Sequence, residues 1–123
     1  MRITKEKVTE NSVTFLFILI PNHMITRCYL EITNSCNLDC VFCPKTERAK
    51  HRLSLDEFEL LTDKLIGKVE FLYFHLMGEP FLHPQLPQFI QIARQKKFIP
   101  VLTTNGTLLS KAQGVIEARP HKI

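Results

Sequence analysis

Residues 69–76, VEFLYFHL, form a run of aliphatic and aromatic residues broken only by Glu70 and His75. Near-continuous apolar sequence of this kind is what a parallel-sheet strand carries when both of its faces are covered. Outward from it the same alternation of short apolar and longer amphipathic segments repeats, which is the mark of βαβ units. Upstream, residues 28–34 (CYLEITN) read as a first strand. Ser54 then opens a helix: Ser54-Leu55-Asp56-Glu57 has the capping-box spacing, with two acids in the first turn. Leu55, Phe58, Leu61, Leu65 and Ile66 make its apolar stripe, and Gly67 is its stop. Downstream, Pro84 or Pro87 suits the first turn of a second helix running to about Lys97, with Leu86, Phe89, Ile90 and Ala93 at helical spacing. Residues 99–104 give a third strand, 108–119 a weaker helix interrupted by Gly114, and 120–123 (PHKI) the entry to a further strand.

The chain thus reads as α/β, with β-α repeated three times, and each strand is followed by an unusual loop. These are the cysteine-containing residues 35–47, the stretch MGEP at 77–80, and TTNG at 103–106. In parallel α/β folds all such loops share the C-terminal edge of the sheet, where ligands bind.

Composition narrows the class without naming a function. At 123 residues, 45% hydrophobic and 23% charged, the chain is one ordinary domain able to bury a core without disulfides. Its net charge of +4 is scattered among acids, which reads as a solvated surface and not as a nucleic-acid footprint. Four cysteines without a cleavable secretory signal fit a reducing compartment, the cytoplasm. The most apolar run, residues 13–20 (VTFLFILI), is closed by Pro21 and falls well short of the ~20 residues a membrane-spanning helix needs.

Cys36, Cys40 and Cys43 stand in the loop CNLDCVFC, and no obvious fourth cysteine follows them. Incidental core cysteines are one reading, since free cysteine is often buried and inert. A structural zinc site is another, but it normally wants four protein ligands. His51 competes for the fourth position, with Cys28, His75 and His83 behind it; Cys28 begins a strand whose far end carries the loop, roughly 20 Å away at ~3.3 Å per residue. A third reading is an iron–sulfur cluster with one iron left open for a substrate.

The spacing C-x3-C-x2-C, with the aromatic Phe42 before the last cysteine, resembles the cluster motif of the radical S-adenosylmethionine (SAM) enzymes. MGEP at 77–80 resembles that family's GGEP loop, with Met77 in place of its first glycine, and TTNG follows in order. The resemblance covers about residues 25 to 119 and looks closest to peptide-modifying, sulfatase-maturase-like members. It implies the first three βα units of a partial (β/α)6, TIM-like barrel. It also implies a [4Fe–4S] cluster on Cys36, Cys40 and Cys43, whose fourth iron is chelated by the methionyl amine and carboxylate of SAM. An electron from the cluster, delivered by a donor such as flavodoxin or ferredoxin, then splits SAM into methionine and a 5′-deoxyadenosyl radical that abstracts hydrogen from a peptide or small organic substrate. By the same carry-over Phe42 lies against the adenine, and Gly78, Glu79 and Pro80 meet the methionyl amine. Thr104 and Asn105 touch SAM or simply build the turn. Glu31 and His75 fall on strands and can face substrate, though such groups are more often satisfied core polars; His83 reads as a loop residue, and His23 and His121 carry no signal.

Two departures from the family pattern set further expectations. Residues 1–23 match nothing in the family and read as an extension upstream of Met24, with 24–123 a truncated core. A half barrel leaves an open strand edge, which predicts self-association or a partner supplying the other half. On this basis the chain is expected to be weakly active or inactive, with a non-catalytic zinc or iron–sulfur module and a nonfunctional remnant as alternatives.

Overall fold

The computed structural model describes residues 2–4, 17–19, 25–44 and 46–123. Within the first 24 residues only β1 (Arg2–Thr4) and β2 (Phe17–Leu19) are described, paired antiparallel with Arg2 opposite Leu19. The rest of the expected extension, including most of 13–20, lies outside the described residues.

The body of the fold is a parallel sheet in the order β3 (Ile25–Tyr29), β4 (Val69–Tyr73), β5 (Ile99–Val101). Ile25 stands opposite Val69 and Tyr29 opposite Tyr73, and Phe71 and Tyr73 stand opposite Ile99 and Val101. Helices α1 (Leu55–Leu65) and α2 (Leu86–Gln95) make the crossovers. After the short α3 (Ala112–Glu117) the chain returns to the outer side of β5. There His121 N–H donates to the Pro100 carbonyl at 2.8 Å and Leu102 N–H to the Lys122 carbonyl at 2.9 Å. The expected entry into a further strand is therefore made, and the whole is a partial, unclosed α/β barrel.

Local chemistry accounts for the elements. Ser54 caps α1 by accepting from Glu57 N–H, while the Glu57 carboxylate takes the Ser54 N–H at 2.8 Å. The Ser54 N–H, with a smaller part from the Ser54 hydroxyl, holds the Glu57 carboxyl below its ordinary pKa. The chain then turns through Gly67, whose φ of +73° is in the region glycine enters at no steric cost. Pro87, not Pro84, occupies the first turn of α2. The third helix is shorter than expected: residues 109–111 form a 3-10 turn before α3.

Phe58 of α1 stacks on Phe89 of α2 with centroids 4.4 Å apart and meets Phe74 edge-on at 5.5 Å. Leu30, Leu72 and Ile90 are fully buried in the same cluster. Full burial of one such side chain is worth about 1.5–3 kcal/mol, so this helix-covered side is where the fold is held together. The opposite side is only half covered. Tyr29 and Tyr73 stack there at 4.8 Å, and Tyr29 is 43% exposed. The apolar run of β4 had implied two buried faces; among the described residues helices pack on one side only, and the other is the concave wall of the open barrel.

The strands differ from the expected ones: β3 begins at Ile25, upstream of Cys28, and ends at Tyr29, and β4 and β5 stop short of Leu76 and Thr104. Beyond Tyr29 the backbone of 32–34 leaves the sheet to pair with 51–53: Leu53 N–H donates to the Ile32 carbonyl at 2.9 Å, and Asn34 N–H to the His51 carbonyl at 3.2 Å. This neck closes the base of the cysteine loop.

His83, just before α2, is buried with both ring nitrogens engaged. Gln85 N–H donates to Nδ1 at 3.1 Å, so the proton sits on Nε2, which donates to the Leu53 carbonyl at 2.9 Å. Burial pushes its pKa below the ordinary value, with the Arg52 charge adding to the shift and the Leu53 bond opposing it. Below about pH 6.5 the unfolded chain takes up a proton that the native ring resists, so stability should fall as pH drops from 7 towards 5. Thermal melts across that range check this. His83→Gln should flatten the profile in part, since His75 is shifted in the same direction, chiefly by burial.

Candidate functional site

The three unusual loops meet at the C-terminal edge of the sheet. Asn34, at the neck, holds the cysteine loop at both ends. Its side chain donates to the Ala49 carbonyl at 2.7 Å and accepts from His51 N–H at 2.8 Å. Between those anchors Cys36, Cys40 and Cys43 all line one open cavity of about 220 Å³, with Leu38, Pro44 and Met77 among its other walls. Met77 comes from the second loop, so the MGEP stretch borders the same space as the thiols.

Gly78 is where the second loop crosses the first. A Cβ there would overlap the Thr33 carbonyl oxygen and lie 2.9 Å from that of Ser35. The crossing is sealed by Glu79 N–H, which donates to the Ser35 carbonyl at 2.8 Å. Glu31, read as either facing substrate or satisfied within the core, lies just past β3 and is satisfied within the chain. It accepts from Met77 N–H at 2.8 Å and pairs with Arg48 at 2.7 Å. It thereby ties the returning arm of the cysteine loop to the second loop.

Glu79 turns inward and is 2% exposed, which rules out a solvated loop acid. Its Oε1 accepts from Phe81 N–H at 3.0 Å and Thr104 Oγ1 at 2.8 Å, and its Oε2 from Asn105 N–H at 2.7 Å. Thr104 and Asn105 thus fasten the third loop to the second. Pro80 is buried at the start of the 3-10 turn Pro80–Leu82. Phe42 stands 85% exposed beside Val41, on the outer tip of the cysteine loop. His75 lies edge-on to Tyr29 and Tyr73 at 5.6 and 5.8 Å, on the concave side.

None of the other histidines or cysteines considered as a fourth ligand lines the thiol cavity. Cys28 is buried in the sheet, and burial pushes its thiol up to about 11, far from the thiolate a metal requires. His83 is spent on the Leu53 carbonyl and Gln85 N–H, and His51 is at the neck with Nε2 3.9 Å from Glu57. Among the described residues no three Cys, His, Asp or Glu side chains stand at ion-holding separation. The thiols share a cavity without being closed around a centre. Asp39 and Lys50 line the same cavity, so its donor set is three soft thiols with one hard carboxylate beside them. Three thiolates suit an iron–sulfur cluster with one iron left open, and no fourth Cys or His is there to complete a structural zinc of the usual sulfur and nitrogen ligands.

Residues 30–121 match the Radical SAM superfamily. The chain belongs to that superfamily. Among curated relatives of this radical SAM chain, the tungsten-containing aldehyde ferredoxin oxidoreductase cofactor-modifying protein of Pyrococcus furiosus is 34% identical over 86 residues, covering 67% of this chain and 24% of that protein. The GTP 3',8-cyclase of Chlorobaculum tepidum is 34% identical over 88 residues, covering 67% and 26%. This radical SAM chain therefore spans about a quarter of the length of these relatives. A crystal structure of BtrN in complex with AdoMet and 2-DOIA shares the fold at a TM-score of 0.63 and 24% identity, covering 77% of this chain and 41% of that one. Among the described residues no helix is long and apolar enough to cross a membrane.

The residues that sequence reasoning missed are those that hold the loops: Asn34, Arg48, and Asn37, whose side chain donates to Thr107 Oγ1 of the third loop at 2.7 Å. Only Asn34 carried a local signal, as a polar residue at the end of an apolar run.

Proposed function

We propose that Cys36, Cys40 and Cys43 hold a [4Fe–4S] cluster and that residues 78–80 receive the methionyl group of SAM beside it. The observation that carries this is the shared cavity: three thiols of the first loop and Met77 of the second wall the same space. A bound cluster would supply an electron for reductive cleavage of SAM, giving a radical able to abstract hydrogen. The chain's own contribution is placement. Because the Glu79 carboxylate is occupied inward by three donors, we assign the methionyl contact to the backbone of Gly78–Pro80 and not to that side chain. Phe42, on the exposed tip, is assigned to cover the adenine. Turnover by the whole protein would need the concave face closed, by further barrel strands or a second chain, and a one-electron donor such as flavodoxin or ferredoxin. We take the substrate to be a small organic molecule, since the relatives' names denote a cofactor-modifying protein and a GTP cyclase. Those names lend no support to a peptide-modifying subfamily. A reducing cytoplasm suits three exposed or half-exposed thiols.

Anaerobic reconstitution with iron and sulfide tests this. The expected result is four irons per chain, falling to background in Cys36→Ser, Cys40→Ser and Cys43→Ser and unchanged in Cys28→Ala. Dithionite and SAM should then release 5′-deoxyadenosine if the chain is competent alone. Stoichiometric zinc with no cluster would overturn the assignment.

A further inference from the structure

The third loop reaches the cysteine loop through a closed ring of side-chain hydrogen bonds. Asn37 Nδ2 donates to Thr107 Oγ1 at 2.7 Å, Thr107 Oγ1 donates to Asn105 Oδ1 at 2.7 Å, and Asn105 Nδ2 donates to Asn37 Oδ1 at 3.0 Å. The orientation of the Asn105 amide follows from its neighbour. Thr107 N–H can only donate, and it meets the Asn105 side chain at 3.0 Å, so the atom facing it is Oδ1. Nδ2 is left facing the cysteine loop, where it lies 3.8 Å from Cys36 Sγ. Asn105 itself is exposed, but its backbone N–H is anchored on the buried Glu79 carboxylate.

We propose that Asn105 is a positioning residue that aims an N–H at the Cys36 sulfur and so raises the reduction potential of the cluster held there. The inference rests on the cluster assignment above. Gaining an electron makes a thiolate-ligated cluster more negative, and part of that charge resides on the sulfurs. A donor aimed at one of them stabilises the reduced form more than the oxidised form, and hydrogen bonds to the sulfurs are among the factors that set cluster potentials. The ring with Asn37 and Thr107 fixes the amide in this direction, so the donor is in place before reduction.

Two variants separate this role from simple turn formation. Asn105→Asp keeps an acceptor for Thr107 N–H, and hence the turn, but replaces the donor with a negative charge. Asn105→Ala removes the donor and adds no charge. Both are reconstituted anaerobically in the full chain beside the wild type, iron is counted, and the reduced fraction is followed by electron paramagnetic resonance against applied potential. At a fixed potential near the wild-type midpoint, the ratio of reduced to oxidised cluster should fall on the order of threefold in Asn105→Ala and tenfold in Asn105→Asp, tenfold being about 59 mV for one electron. A residue that only built the turn would alter iron content or melting temperature and leave the midpoint of the loaded fraction where it was. Wild-type midpoints in both variants overturn this inference alone. Failure of the wild-type chain to take up iron overturns the cluster assignment and this inference with it.

Discussion

Gly78→Ala is expected to be the most damaging single substitution at the loop edge. The added methyl group would overlap the Thr33 carbonyl and crowd that of Ser35, and both obstacles are backbone, so no side-chain rotation relieves them. Either the second loop lifts away, losing the Glu79 N–H bond to Ser35, or the neck of the cysteine loop shifts. Overpacking of this kind costs about 3 kcal/mol or more when the neighbours cannot give way. Urea unfolding of Gly78→Ala should show that loss, and iron uptake should fall in parallel, because Ser35 immediately precedes Cys36. Wild-type stability in the variant would mean that the two loops do not cross as described. Gly114→Ala is a fair control: its Cβ would meet Pro87 at an ordinary 3.5 Å, and removing glycine from a helix is favourable.

The second large effect is expected at Glu79. Alanine there removes three accepted hydrogen bonds and leaves Phe81 N–H and Asn105 N–H without their carboxylate partner. Hydrogen bonds to a charged acceptor contribute about 1.5–3 kcal/mol each and are not additive, so a net loss of about 3 kcal/mol is expected. Glu79→Gln keeps the shape but puts an amide N–H2 against one of the three donors, and should fall about midway. Denaturation measures the size, and hydrogen exchange locates it: the Asn105 amide should exchange faster in both variants, while amides of α1 keep their protection. Unchanged exchange at Asn105 would remove Glu79 as the tie between the second and third loops.

What could be read from residues alone was what is local. The capping box at Ser54 and Glu57 and the Gly67 stop each involve neighbours a few positions apart, and each stands in the structure where its spacing put it. The three βα units followed from the periodicity. Strand ends did not, because an apolar alternation looks the same whether its backbone pairs with the sheet or with something else. Ile32 continues the pattern of β3 but pairs with Leu53. The requirement for glycine at 78 was equally hidden, since the atoms that exclude a side chain belong to residues some 45 positions earlier. Glu79 drew attention for its position in MGEP, yet its carboxylate faces Thr104 and Asn105 of a loop that nothing near it in sequence announces.

The neck at 32–34 and 51–53 also bears on how this loop can vary between proteins. Because those two short segments are held side by side, the chain between them is an excursion whose base is fixed by their backbone pairing, reinforced by the Asn34 bond to Ala49 and the Arg48 pair with Glu31. Doubling the length of such an excursion costs only about 0.6 kcal/mol in chain entropy. Insertions after Cys43, on the arm returning to His51, are therefore cheap, whereas changes between Cys36 and Cys43 alter the relative placement of the thiols directly. The neck makes the segment a cassette, free to differ in length on its returning side without disturbing the sheet beneath it.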